Sequence, residues 1–209
     1  MKRIILTLTA LILLVGVCAA SLLVMNFQAK QSQSNIDKQV ATYTSQPENS
    51  SGFPAQMRLA IYVQGSDPVA NTLRETLKER LAQAPIFQQV ELLNEPPEIS
   101  DQAVLVIEFD QRHITWTPVK SVSQIALQAA FASDGDVSWR HEKPVIMRND
   151  GESVVRVEGE FNFRDDTLGL VSRPAYQQYL GEQLASSISE ALQDALKTST
   201  TSYYPQSTD

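Results

Sequence analysis

The sequence predicts an α/β (α+β) chain: a two-layer domain with an open mixed sheet and two helices on one face, preceded by an N-terminal transmembrane helix. Three observations predict it. Residues 4–27 are apolar and carry no charge. Two segments place large apolar residues four apart, as a helix with one buried face requires. The stretches between them alternate apolar and polar residues, or are apolar throughout, as strands do.

The first element is "IILTLTALILLVGVCAASLLVMNF", 24 residues long. At about 1.5 Å per residue a helix of this length covers about 36 Å, enough for a hydrocarbon core of about 30 Å. Lys2 and Arg3 precede it, so the positive-inside bias puts the N-terminus in the cytoplasm and residues 28–209 outside. Ile4, Leu13, Cys18, Leu23 and Phe27 mark the anchor. Cys18 admits three readings: a small apolar residue of an uncleaved helix, a neighbour of a signal cleavage near Ala19 or Ala20, or a lipidation point. Val17 directly before the cysteine is too bulky for a good lipid box, and "SLLVMNF" carries the run on to the length of an anchor. With no second cysteine, no disulfide framework exists.

Residues 28–56 are rich in Gln, Ser and Asn without apolar periodicity, and read as a flexible tether spanning roughly 30 Å. Residues 28–209 hold 15 basic and 24 acidic side chains, a formal −9. That balance repels phosphate backbones, which excludes nucleic acid as a partner, and it disfavours binding of the body to anionic lipid.

The domain is expected over residues 57–197. Leu59, Ile61 and Val63 alternate with Ala60 and Tyr62 as a strand. Gly65 turns the chain, and Asp67-Pro68 starts a helix by capping free amides and presetting the first turn. Val69, Leu73, Leu77 and Leu81 form its apolar stripe. A short strand follows near 87–93. "AVLVIEFD" at 103–110 is apolar enough to be covered on both faces. A meander of three strands comes next: Ile125 to Phe131, a return over 137–147 after the Asp134-Gly135 turn, and the alternating "SVVRVEGEFNF". The closing helix over 173–197 repeats Tyr176, Leu180, Leu184, Ile188, Leu192 and Leu196, with Ser172 as cap. The tail 198–209 reads as disordered.

The run of a strand, a capped helix, "APIFQQVELL", "AVLVIEFD", a meander and "YLGEQLASSISEALQDAL" resembles the small exported α/β domains of bacterial envelope lipoproteins, in particular the lipopolysaccharide-assembly lipoproteins and the TolB-amino-terminal-like domains. The resemblance covers about 57–197 and is one of pattern. It implies a non-catalytic partner in an envelope assembly and transfers no functional residue. The poor lipid box is where this chain departs from it.

No cofactor motif occurs: neither a P-loop, a dinucleotide glycine pattern nor a G-x-S-x-G elbow is present. His141 lacks the second histidine of a zinc helix, and Asp134 with Asp136 lacks a calcium loop. The expectation is therefore no enzyme, no cofactor and no metal. The remaining chemistry lies in "QRHITWTPVKS", 111–121, where Arg112, His113 and Trp116 form a candidate binding patch, with core packing of Trp116 as its alternative. The function expected is a membrane-tethered, extracytoplasmic, non-enzymatic binding or assembly module of the bacterial envelope, with other envelope or membrane proteins as partners. The alternatives are an accessory structural subunit of a membrane complex, or a hydrolase or metal enzyme using Asp134, Asp136 or His141.

Overall fold

The structure, a computed structural model, describes Gly16 and residues 28–45, 56–97, 99–141 and 153–201. The anchor residues Ile4, Leu13, Cys18, Leu23 and Phe27 lie outside the described residues. Among the described residues, no helix is long and apolar enough to cross a membrane.

One mixed sheet of six strands carries two helices. The elements are β1 (Gln28–Ser45), β2 (Met57–Val63), α1 (Pro68–Ala82), β3 (Phe87–Leu92), β4 (Ala103–Trp116), β5 (Lys120–Ala132), a 3-10 turn (Ser138–His141), β6 (Val154–Val171) and α2 (Arg173–Thr201). The strand order is β1-β6-β5-β4-β2-β3. β2 runs parallel to β3 and β4, and the other neighbours are antiparallel. One continuous core joins Leu73 and Leu77 of α1, Leu180 and Leu184 of α2, and the inward residues of the sheet, such as Ile61, Leu105, Leu127 and Phe163. Both helices therefore cover the same face. They pack closely because Gly181 has no side chain: a Cβ there would meet Thr72 Cβ at 2.7 Å.

Both helix starts follow their sequence signals. Asp67 Oδ1 accepts from the amides of Val69 at 3.1 Å and Ala70 at 3.4 Å. Ser172 Oγ accepts from Ala175 N at 3.3 Å. α2 runs on to Thr201, past the helix end expected at 197.

The tether expected over 28–56 is corrected over residues 28–45, and residues 46–55 lie outside the described residues. Residues 28–45 form β1, paired with β6 along its whole length from Gln28↔Val171 to Ser45↔Val154. The sheet thus includes residues well before Met57. Composition argued against burial, and β1 indeed buries little. It is an edge strand, so β6 satisfies one row of its backbone groups while most of its side chains stay exposed.

A second correction concerns the meander. The segment expected to return as a strand over 137–147 begins instead with the 3-10 turn, and residues 142–147 lie outside the described residues. β6 takes its place beside β5. The physical cause is the far face of the sheet. Val137 packs there on Ala60, Val104, Val106 and Ala132. This also explains the apolar run of β4, whose Val104 and Val106 face this second cluster while Leu105 and Ile107 face the helices.

Candidate functional site

The 111–121 segment is the distal half of a long antiparallel arm built by β4 and β5. An irregularity between Phe109 and Gln111 shifts the register, and beyond it Arg112, Ile114 and Trp116 pair with Ile125, Ser123 and Ser121. Those partners are buried on the helix side, so these three residues face the helices. His113 takes the opposite face, where it is exposed and its Nε2 lies 3.3 Å from Thr115 Oγ1. The structure thus brings Arg112 and Trp116 together and separates His113 from them.

Arg112 is held from two sides. Its guanidinium stacks 4.3 Å from the Phe109 ring centre and pairs with Asp67. Asp67 therefore caps α1 with one oxygen and holds Arg112 with the other. Trp116 donates from Nε1 to the carbonyl of Val171 at 3.1 Å, and its ring packs partly against the core while staying half-exposed. Between this arm and the N-terminal ends of α1 and α2 lies an open groove of about 550 Å³, lined by Asp67, Arg112, Ile114, Trp116, Arg173 and Tyr176 among others.

Beneath the groove the core turns polar. Asp165, only 3% exposed, accepts four side-chain bonds. Oδ1 receives Ser34 Oγ at 2.9 Å and Tyr179 Oη at 3.4 Å. Oδ2 receives Thr167 Oγ1 at 2.8 Å and Tyr176 Oη at 2.8 Å. Lys30 of β1 places its amine 3.1 Å from the centre of the Tyr179 ring. Burial pushes the Lys30 amine below its ordinary value, against the opposite pull of Asp165 and Glu182. Burial pushes the Tyr176 phenol up; Ser123 pulls it back, and the hydrogen bond and charge of Asp165 add to the rise. The cluster fixes one wall of the groove, because Tyr176 belongs to both.

The carboxylates of the enzyme alternative sit elsewhere. Arg156 Nη2 reaches Asp134 at 2.9 Å and Asp136 at 3.0 Å, beside the Trp139 ring. Burial raises Asp136, but the bonds from Ser138 and the Arg156 charge outweigh it and hold the carboxyl below its usual range. The pair acts as a clamp that pins the 133–141 segment to β6. His141 closes the 3-10 turn. Among the described residues, no three metal-ligating side chains converge.

Sequence reasoning missed Asp67, Arg173 and Tyr176 as groove residues. Each had a local meaning as a cap, a helix start or a core stripe, and nothing in the linear order joined them to Trp116.

No protein-family model matches the chain, and no curated protein matches it. Two solved structures are similar to it over 72% of this chain and 98% of theirs. One is a dodecamer of a single-residue variant of PelC from Paraburkholderia phytofirmans, at 13% identity and a TM-score of 0.29. The other is a PelC dodecamer from the same organism in another crystal form, at 10% identity and a TM-score of 0.31. Likeness at this level carries no argument about this chain.

Proposed function

We propose that this protein is a membrane-tethered, extracytoplasmic, non-enzymatic binding module of the bacterial cell envelope that grips a partner protein in the Arg112–Trp116–Arg173 groove. The observation that carries the reading is the groove itself, which sets a half-exposed indole beside two guanidinium groups on rigid elements. Tryptophan and arginine are the side chains that most often anchor interfaces. Asp67 is the acid of the lining, and it is already engaged by Arg112 and by the amides of α1. The groove therefore favours a partner segment that offers an apolar side chain next to an acidic group. The charge-free run behind Lys2 and Arg3 supports the tether and the side of the membrane.

Copurification of the full chain from detergent tests the reading. Arg173→Glu reverses a charge in the groove at an exposed helix start, so the fold should survive. A partner retained by the natural chain should be lost by at least about tenfold in affinity, the loss that about 1.4 kcal/mol at an interface produces. Equal retention of that partner by the folded variant would place the interface elsewhere.

A further inference from the structure

We infer that one end of the domain, made of the β4–β5 turn, the end of β6 and the start of β1, lies directly against the bilayer surface as a second membrane contact. The inference rests on the tether reading given above.

Five large apolar side chains stand exposed among the described residues, and three of them meet at this end: Val119 at 60%, Leu168 at 57% and Leu170 at 46%. Leu168 and Leu170 lie two apart on β6 and share the face away from the helices. Between them, Gly169 donates its amide to the Val119 carbonyl at 3.0 Å, which draws the turn onto the strand. Gly169 holds φ at +110°, and a Cβ there would meet the Ala29 carbonyl oxygen at 2.6 Å, so β1 closes tightly over the same spot. Leu170 pairs with Ala29, and Val171 with Gln28.

The chain leading into β1 decides what covers the patch. The apolar run ends at Phe27, one residue before Gln28. One residue reaches about 3.8 Å between Cα atoms. A tether of 29 residues would have let the body float; β1 removes that slack. With residues 4–27 spanning the bilayer, Gln28, Ala29 and the neighbouring Leu170 are held at the membrane boundary.

The local charge is not acidic: segments 28–30, 116–120 and 166–173 contain Lys30, Lys120 and Arg173 against one acid, Asp166, although the body as a whole is acidic. Lys30 is turned inward over Tyr179. Lys120 stays half-exposed while pairing with Asp166 at 3.5 Å, and Arg173 is exposed at the start of α2. Leucine and valine beside the stem of Lys120 suit an interface of acyl chains below and headgroups above.

The test places a fluorescent unnatural amino acid singly at Val119, Leu168, Leu170 or Gln83 of the full chain. Gln83 lies at the other end of α1, about 24 Å from Asp67 along the helix. The protein is reconstituted into vesicles of phosphatidylcholine and phosphatidylglycerol that carry a nitroxide lipid. Fluorescence at 119, 168 and 170 should be lost to quenching and that at Gln83 retained. Leu168→Glu with Leu170→Glu, both at exposed positions, should restore the signal at 119. An embedded chain whose end is quenched no more than Gln83 overturns the contact and leaves the tether standing. Quenching at 119 that the double variant does not relieve also overturns it, because nearness to the anchor then explains the signal. A mature chain whose mass lacks residues 1–19 or more, recovered free of vesicles, overturns the tether and the contact with it.

Discussion

Two halves of one core lie under the same helix layer and are filled in opposite ways. Beneath α1, the sheet offers Leu59, Ile61, Val63, Leu105 and Ile107, all at most 1% exposed. Beneath the first turns of α2, it offers Ser121, Asp165 and Thr167, which are similarly buried and each hydrogen-bonded. The first half is held by apolar burial, which has no direction and forgives changes of shape. The second is held by hydrogen bonds, each of which requires one donor to meet one acceptor. Similar burial thus carries different tolerances, and the groove with its candidate contacts sits over the less tolerant half.

The largest expected effect breaks the apolar half. Leu77→Ala leaves a cavity between α1 and the sheet and should cost about 2–5 kcal/mol in denaturant unfolding. A loss well below that range would mean that the helix collapses into the gap and that this half is looser than its burial indicates.

Asp165→Asn probes the polar half with a change of almost no volume. All four bonds to Asp165 come from donors, two to each oxygen. An amide group turns one oxygen into a donor and leaves two hydroxyl groups facing it, at a cost of about 1–3 kcal/mol. Leu77→Met, an equally conservative change in the other half, should cost less than about 1.5 kcal/mol. If the two variants lose the same stability by calorimetry, the contrast between the halves fails.

The smallest effect is a pH dependence. The folded amine of Lys30 lies below the ordinary 10.5, so the unfolded chain binds more protons between the folded value and 10.5. Stability then rises with pH through that window, because the penalty on the buried charge is relieved as the proton leaves. Lys30→Met removes this dependence. The stability difference between the natural chain and the variant should drift in favour of the natural chain as pH rises from neutral toward about 9.5; a constant difference over that range would show that the Lys30 charge costs nothing where it sits. Measurements stay below about pH 10, the ordinary range of a tyrosine, because ionisation of Tyr176 in the unfolded chain would then act in the opposite direction.

Two residues of the candidate site were legible in advance. Arg112 and Trp116 stood out as an arginine and a tryptophan beyond a buried strand, and their two-residue alternation held after the irregularity at Phe109–Gln111. His113 belonged to the same short motif and fell on the other face, because a strand turns successive side chains opposite ways. Asp67, Arg173 and Tyr176 come from two helices and were read correctly for their local roles. Their meeting depends on how the helices cross the sheet, which no local pattern encodes.

Residue order by itself determined the helices, their caps and the aliphatic strands. These depend on contacts within a few residues and on a periodicity that burial imposes on any such element. The N-terminal run and the charge balance are also properties of sequence alone. Only the tertiary structure decided the fate of residues 28–45 and 133–141. β1 has too few apolar groups to announce itself, and it exists because β6 supplies a ladder and Asp165 supplies an acceptor for Ser34. Val137 and Trp139 are buried because a second apolar cluster and the Arg156 clamp are already in place to receive their segment. A polar strand and a covering loop draw their stability from partners more than a hundred and some twenty residues away along the chain, respectively, so their conformation becomes defined when the sheet is assembled.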